Sequence, residues 1–212
     1  MLGQRVLGVL AGHDFPRESL APWLDSADIV VAADGAANVL FEMGREPDFV
    51  VGDLDSLNDE ARAQAKQLIG DPDQETTDVD KLLKFLVERG AESVTLANLE
   101  GDRFDHMLAA VHSALQSPLS VRLLLRQGLA CVVGAGVESV IETDPGQTVS
   151  FIPMTECRGV VMSGVRWPPA SVLSPTGSTS ISNEATGDRI TVRLEEGAGL
   201  LFANRDSRIP AW

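Results

Sequence analysis

Apolar positions in the first half of the chain fall into short unbroken runs, separated by stretches with a helical period. Residues 6–10, 29–33, 49–51 and 94–99 are runs of the kind that forms strands buried on both faces. Between them, residues 78–89 place Val79, Leu82, Leu83 and Leu86 on one helical face, with Asp80, Lys81, Lys84 and Glu88 opposite. A second helix, from about Asp105, repeats the geometry with Phe104, Leu108, Val111 and Leu115 as its apolar face. Strands alternating with helices predict an α/β domain, a mostly parallel sheet flanked by helices. Past Ser117-Pro118 no helical period remains. Short β-rich pieces follow at 121–125, 137–141, 148–152, 160–162, 178–182, 190–194 and 200–202, broken by Asp144-Pro145-Gly146, Pro168-Pro169 and Glu196-Gly197. This predicts two domains: 1–117, α/β, and 118–212, a smaller all-β sandwich or barrel-like domain.

Composition narrows the function classes. A chain of 212 residues, 44% hydrophobic, can hold one large or two modest cores. No apolar run approaches the ~20 residues of a bilayer span, so no membrane partner is expected. The N-terminal apolar stretch leads into Gly12-His13-Asp14 rather than a small-residue cleavage site, and reads as a first strand, not a signal peptide. Two cysteines, Cys131 and Cys157, without CxxC, argue for a reducing cytoplasm. Three scattered histidines, His13, His106 and His112, are too few for a zinc site. A formal charge of -14 repels polyanions, so nucleic acid is not an expected partner. A nucleotide remains compatible, because a divalent cation can bridge carboxylates and phosphates.

Carboxylates in the first half cluster at strand ends. Asp34 opens Asp34-Gly35-Ala36-Ala37-Asn38 after one run; Asp53 and Asp55 follow another in Gly52-Asp53-Leu54-Asp55-Ser56; Asp78 begins a helix after Gln74-Glu75-Thr76-Thr77. Ligands of open α/β sheets bind beyond the carboxyl ends of strands, where the first three of these aspartates fall. Taken singly, each is an ordinary turn or cap residue. Asp53 and Asp55, two apart in an extended segment, point the same way and repel unless a cation or proton lies between them; magnesium suits an all-oxygen set. In Glu100-Gly101-Asp102-Arg103-Phe104-Asp105-His106, a helix start offers an anion site, Arg103 can fork onto phosphate, and Asp105 can cap the helix or hold Arg103. Lys81, one turn into its helix, can also reach a phosphate. In the β-rich half, alternation places Ser178, Ser180 and Ser182 on one face, and Trp167 precedes Pro168-Pro169 as a packing residue or a stacking platform. GxxxxGK[ST], a strand-linked GxGxxG and GxSxG are absent.

Asp34-Gly-Ala-Ala-Asn38, Pro47 to Ser56, Pro72 to Asp78 with Lys81, Gly101 to His106, Gly164-Val-Arg-Trp167-Pro and Ser180-Ile-Ser-Asn-Glu184 resemble, in order and spacing, the successive motifs of thiamine pyrophosphokinases. The resemblance implies a catalytic α/β domain and a thiamine-binding, dimerising β-domain in a cytoplasmic homodimer, with thiamine near the subunit interface. It implies magnesium on Asp53, Asp55 and Asp78. It implies an ATP and phosphate site lined by Asp34, Gln74, Thr77, Lys81, Arg103 and Asp105, and thiamine at Trp167, Ser180, Ser182 and Asn183; near the hydroxyl, Asp105 is also a candidate base. Ala36 stands where the family's DGG element has its second glycine, and Asp102 where many members carry a small residue.

The reaction so implied passes the β,γ-pyrophosphoryl group of ATP to the hydroxyethyl oxygen of thiamine. Two alternatives stay open from the residues alone. One is a pyrophosphokinase acting on another hydroxymethyl heterocycle, such as a pterin. The other is a silent thiamine- or nucleotide-binding module, which has little use for clustered carboxylates.

Overall fold

The computed structural model describes residues 4–12, 15–101 and 103–212, so Asp102, His13 and Asp14 lie outside the described residues. The chain divides into two compact units, residues 1–126 with 207–212, and residues 127–206. In the first unit the elements are β1 (Val6–Val9), α1 (Arg17–Ser26), β2 (Ile29–Ala33), α2 (Ala36–Glu42), β3 (Phe49–Gly52), α3 (Asp59–Gln64), β4 (Leu68–Gly70), α4 (Asp78–Glu88), β5 (Ser93–Ala97), α5 (Phe104–Gln116) and β6 (Ser120–Leu125). Its strands lie in the order β6-β5-β1-β2-β3-β4, each neighbour parallel to the next. β1 and β3 are buried at every position, which is why they read as unbroken apolar runs. Leu7, Leu40, Leu82, Leu86 and Leu96 are among the fully buried side chains that join sheet and helices. The expected α/β and all-β architectures are both present, but the first compact unit runs to Arg126 rather than 117, because β6 extends the parallel sheet, and it includes residues 207–212.

α4 follows its predicted pattern closely: Val79, Leu82, Leu83, Phe85 and Leu86 are buried, and a reciprocal capping box of Thr77 and Asp80 starts it. α5 departs from expectation. It buries Ala110 and Ala114, whereas Phe104 and Leu108, assigned to its packing face, are exposed. The small alanines allow close packing, while of the larger apolar stripe Val111 and Leu115 are half-buried and only its first turn, Phe104 and Leu108, faces outward.

The second unit holds β7 (Gly128–Gly134), β8 (Ser139–Glu142), β9 (Thr148–Pro153), β10 (Cys157–Arg158), β11 (Val161–Ser163), β12 (Val172–Leu173), β13 (Asn183–Glu184), β14 (Arg189–Arg193) and β15 (Ala198–Asn204). β13-β9-β15-β7 form one antiparallel layer, β11-β14-β8 another, and β10 pairs with β12. Phe151, Ile190, Leu194 and Leu201 are completely buried in this unit. The segment 178–182 is not the predicted strand. Ser180 (φ 74°) and Ser182 (φ 56°) are left-handed, so the chain turns there and its serines share no strand face.

Candidate active site

Strand order in the first unit reverses at β1, which lies between β5 on one side and β2 on the other. Loops leaving such neighbours part in opposite directions and open a crevice at the strands' carboxyl ends. A cavity of about 420 Å³ lies there, lined by Leu10, Ala11 and Gly12 after β1, Gly35 after β2, Asp53 and Ser56 after β3, and Asn98 and Leu99 after β5. Gln74 and Thr77 just before α4, Asp78 and Lys81 in its first turn, and Arg103 and His106 at the start of α5 line it as well.

Asp34 is buried, with a left-handed backbone (φ 30°). One carboxylate oxygen accepts the Ser56 amide at 3.2 Å; the other, Oδ1, is buried with no hydrogen-bond partner among the described residues. Burial, with the charges of Asp78 and Asp53 adding to it, raises the Asp34 pKa to about 6. Gly52 permits this crowding: a Cβ there would lie 2.7 Å from Asp34 Cβ and 3.1 Å from Asp78 Oδ1.

Asp53 and Asp55 do converge, by a route other than strand alternation. Leu54 is left-handed (φ 67°), and Asp53 Oδ1 accepts the Asp55 amide at 3.2 Å, so the segment is a side-chain-capped turn. Asp53 Oδ2 accepts from Gln74 Nε2 at 3.0 Å; that bond, then the Asp55 amide, holds the Asp53 pKa below the usual carboxylate range. One oxygen from each of Asp34, Asp53 and Asp55 lies within 4.8 Å of the other two. An orphaned buried oxygen, three convergent hard donors and a space that a Cβ would fill together fit a small divalent cation.

Lys81, which the sequence places on the polar face of its helix and within reach of a phosphate, is only 4% exposed. Its Nζ stands 3.7 Å from Asp78 Oδ1 and 3.9 Å from Asp53 Oδ2, a cation held at the edge of the carboxylate cluster. Burial raises the Asp78 pKa, with Lys81 opposing that rise. Thr77 is committed to its helix: its hydroxyl bonds Asp80 Oδ2 at 2.7 Å and receives the Asp80 amide at 3.3 Å.

Arg103 donates to both oxygens of Asp105, from Nε at 3.2 Å and Nη2 at 2.6 Å. That fork drives the Asp105 pKa down to about 2 and aims the guanidinium, while Arg103, at the N-cap position of α5, makes no side-chain cap. Asp105 therefore holds Arg103, the second of the two roles its position allowed.

Asn98 also lines the cavity, although little in the sequence marks it out. It is buried and left-handed (φ 64°), and its Nδ2 donates to Leu10 O at 2.6 Å, tying the ends of β1 and β5 together. Its one available signal was that it is a polar residue inside the apolar run 94–99, where the strand itself stops at Ala97.

In the second unit Trp167 is 56% exposed, and the Arg166 guanidinium lies 5.0 Å from its ring centroid. Asn183 is buried behind it; Ser180 Oγ lies 3.9 Å from Met162 Sδ, and the Ser182 amide donates to Ser150 Oγ at 3.0 Å.

Residues 20–124 match the family described as thiamin pyrophosphokinase, catalytic domain, and residues 138–198 match thiamin pyrophosphokinase, vitamin B1 binding domain. The chain is 22% identical over 197 residues to the thiamine pyrophosphokinase of Bacillus subtilis, covering 88% of this chain and 92% of that one. It is 26% identical over 191 residues to thiamin pyrophosphokinase 1 of Caenorhabditis elegans, covering 82% and 77% respectively. The fold matches the crystal structure of the Bacillus subtilis thiamine pyrophosphokinase with a TM-score of 0.79 at 21% identity, over 95% of this chain and 99% of that one. Two family matches in series, one over the α/β half and one over the β-rich half, place this chain in the thiamin pyrophosphokinase family.

Proposed function

We propose that the chain is a thiamine pyrophosphokinase that binds ATP with magnesium in the cavity beyond β1, β2, β3 and β5, and gives thiamine diphosphate and AMP. The observation that carries this reading is the convergence of Asp34, Asp53 and Asp55 beside the buried cation Lys81 in one hollow. A bare triphosphate would be repelled by these carboxylates. Magnesium bound to Asp34, Asp53 and Asp55, with Asp78, the third ligand the family resemblance implies, beside that set rather than within it, would supply charge neutralisation of the phosphate oxygens. Lys81 and Arg103 then face the same triphosphate from two sides, as a point charge and a fork.

The hydroxyethyl oxygen of thiamine forms a bond to the β-phosphorus, the bond from that phosphorus to the α,β-bridging oxygen breaks, and AMP carries that oxygen away. The hydroxyl proton is released. Positioning and charge stabilisation dominate such chemistry. A carboxylate with a pKa near 2 is a poor proton acceptor, so Asp105 serves by orienting Arg103. Gln74 fixes Asp53 through its 3.0 Å hydrogen bond. Trp167 of the β-rich unit offers a ring face for thiamine, with Ser180 and Ser182 in the turn that precedes β13.

We also read the chain as a cytoplasmic homodimer. Exposed Phe104 and Leu108, one helical turn apart on α5, support the dimer, since large apolar side chains grouped on a surface mark contacts. Among the described residues no helix is long and apolar enough to cross a membrane.

Incubation with thiamine, ATP and magnesium tests the reaction. Thiamine diphosphate and AMP should form in equal amounts. ADP in place of AMP would mean attack at the γ-phosphorus and would overturn the assignment. Turnover of a hydroxymethyl pterin in preference to thiamine would overturn the acceptor.

A further inference from the structure

We propose that Asn183 is a positioning residue that acts on thiamine through Trp167, and that Arg166 completes the same device by occupying one face of the indole. The proposal rests on the reading of Trp167 as a thiamine contact, and it departs from the direct thiamine contact that family resemblance implies for Asn183.

The side-chain amide of Asn183 is already committed. It is 4% exposed, and its Oδ1 accepts the Trp167 amide at 3.1 Å and the Glu184 amide at 2.9 Å. Its Nδ2 donates to Trp167 O at 2.6 Å. Both backbone polar groups of Trp167 are therefore held by one buried side chain, which leaves that side chain little surface for a ligand. The adjoining backbone is stitched to the same place: Val165 bridges Ala185, and the Arg166 amide donates to Glu184 O at 2.9 Å.

The ring is fixed from one side as well. The Arg166 guanidinium, 5.0 Å from the indole centroid, is tied by Nη1 to both Glu184 oxygens at 3.3 Å. One π face thus carries a cation belonging to the chain, and the opposite face is left to stack on a flat heterocycle. Pre-organising an exposed aromatic in this way lowers the ordering cost of binding without any added contact.

A double-mutant cycle separates this device from a direct contact. Asn183→Ala should raise the KM for thiamine about tenfold while the KM for ATP moves less than about twofold. In a Trp167→Ala background the same substitution should add less than about twofold, because the residue it positions is gone. A full tenfold effect in that background overturns the proposal, since Asn183 would then act on thiamine directly or by another route. Should Asn183→Ala fail to fold, the exposed Arg166→Gln replaces it: its effect on the KM for thiamine should vanish when Trp167 is already alanine, and an undiminished effect overturns the device. A wild-type protein that releases no AMP with thiamine sinks the proposed function instead. The clamp is then still read by the indole N–H resonance of Trp167, which should shift and broaden in Asn183→Ala; an unchanged line overturns it.

Discussion

Asp34 of the candidate site is held in the fold at a cost in stability. Its carboxylate is buried with one oxygen unpartnered, and its pKa is raised to about 6. A raised carboxylate pKa means the folded protein binds the proton more tightly than the unfolded chain does, so the group favours folding at low pH and loses that advantage as pH rises through 6. Metal-free Asp34→Asn should therefore melt about 2–6 °C above the wild type at pH 7.5, with a smaller gain at pH 5, where the wild-type group is largely neutral; 1 kcal/mol corresponds to roughly 2–4 °C for a chain of this size. Magnesium should raise the wild-type midpoint and leave the variant's almost unmoved, both followed by calorimetry. Equal gains at the two pH values would show that the Asp34 charge is not the source. Asp55 lies on the exposed side of the cluster, so Asp55→Ala should keep its melting midpoint while kcat falls at least ~100-fold in the AMP assay. Near-normal turnover would remove Asp55 from the metal site. Strand-end position and local motif made these aspartates legible in the sequence. The burial of Lys81 was not, because it depends on Asp53 and Asp78 meeting from separate segments, and Asn98 went unnoticed because its partner is the carbonyl of Leu10, 88 residues away.

Helices show where a one-dimensional pattern suffices and where it stops. Apolar spacing located α4, and the Thr77–Asp80 capping box sits where the spacing begins. Thr77→Ala removes an N-cap worth about 1 kcal/mol and should lower the melting midpoint by about 2–4 °C, whereas Thr77→Ser should restore it. A loss in both variants would place the importance of Thr77 outside the cap. For α5 the period correctly gave a helix and an apolar stripe, but not what covers the stripe. Propensity and period are properties of the segment; burial belongs to the assembly. With Phe104 70% exposed, a second copy is the cover we propose. Phe104→Asp with Leu108→Asp should shift sedimentation from dimer to monomer without lowering helix content. A wild-type chain that sediments as a monomer would refute that cover. Residues 178–182 mark the opposite failure: alternating Ser and Ile imitate a strand, while two left-handed serines turn the chain.

At the scale of the molecule, the chain leaves the α/β unit after Arg126 and returns to it at Ser207, so the first unit is closed by a segment far away in sequence. The return is built on α1. Trp23 Nε1, on a side chain only 1% exposed, donates to Ser207 O at 2.7 Å, and the Ser207 hydroxyl lies 3.1 Å from that of Ser19. Trp212 meets the Trp23 ring edge-on with centroids 5.0 Å apart, and its Nε1 donates to Ser26 Oγ at 3.2 Å. Nothing in residues 207–212 announces this role, because a short, aperiodic segment gains meaning only from a partner 184 residues distant. Removing residues 207–212 would strip the buried indole N–H of its acceptor, costing about 1–3 kcal/mol, and would delete an aromatic pair worth roughly 0.5–1.5 kcal/mol. The truncated chain should therefore melt about 3–18 °C lower, with Trp23 emission shifted to the red as water reaches it, whereas Trp212→Ala alone should lose only the smaller part. An unchanged midpoint after truncation would mean that the tail rests on α1 without contributing to its stability, and the closure of the first unit would then have to come from the sheet and its helices alone.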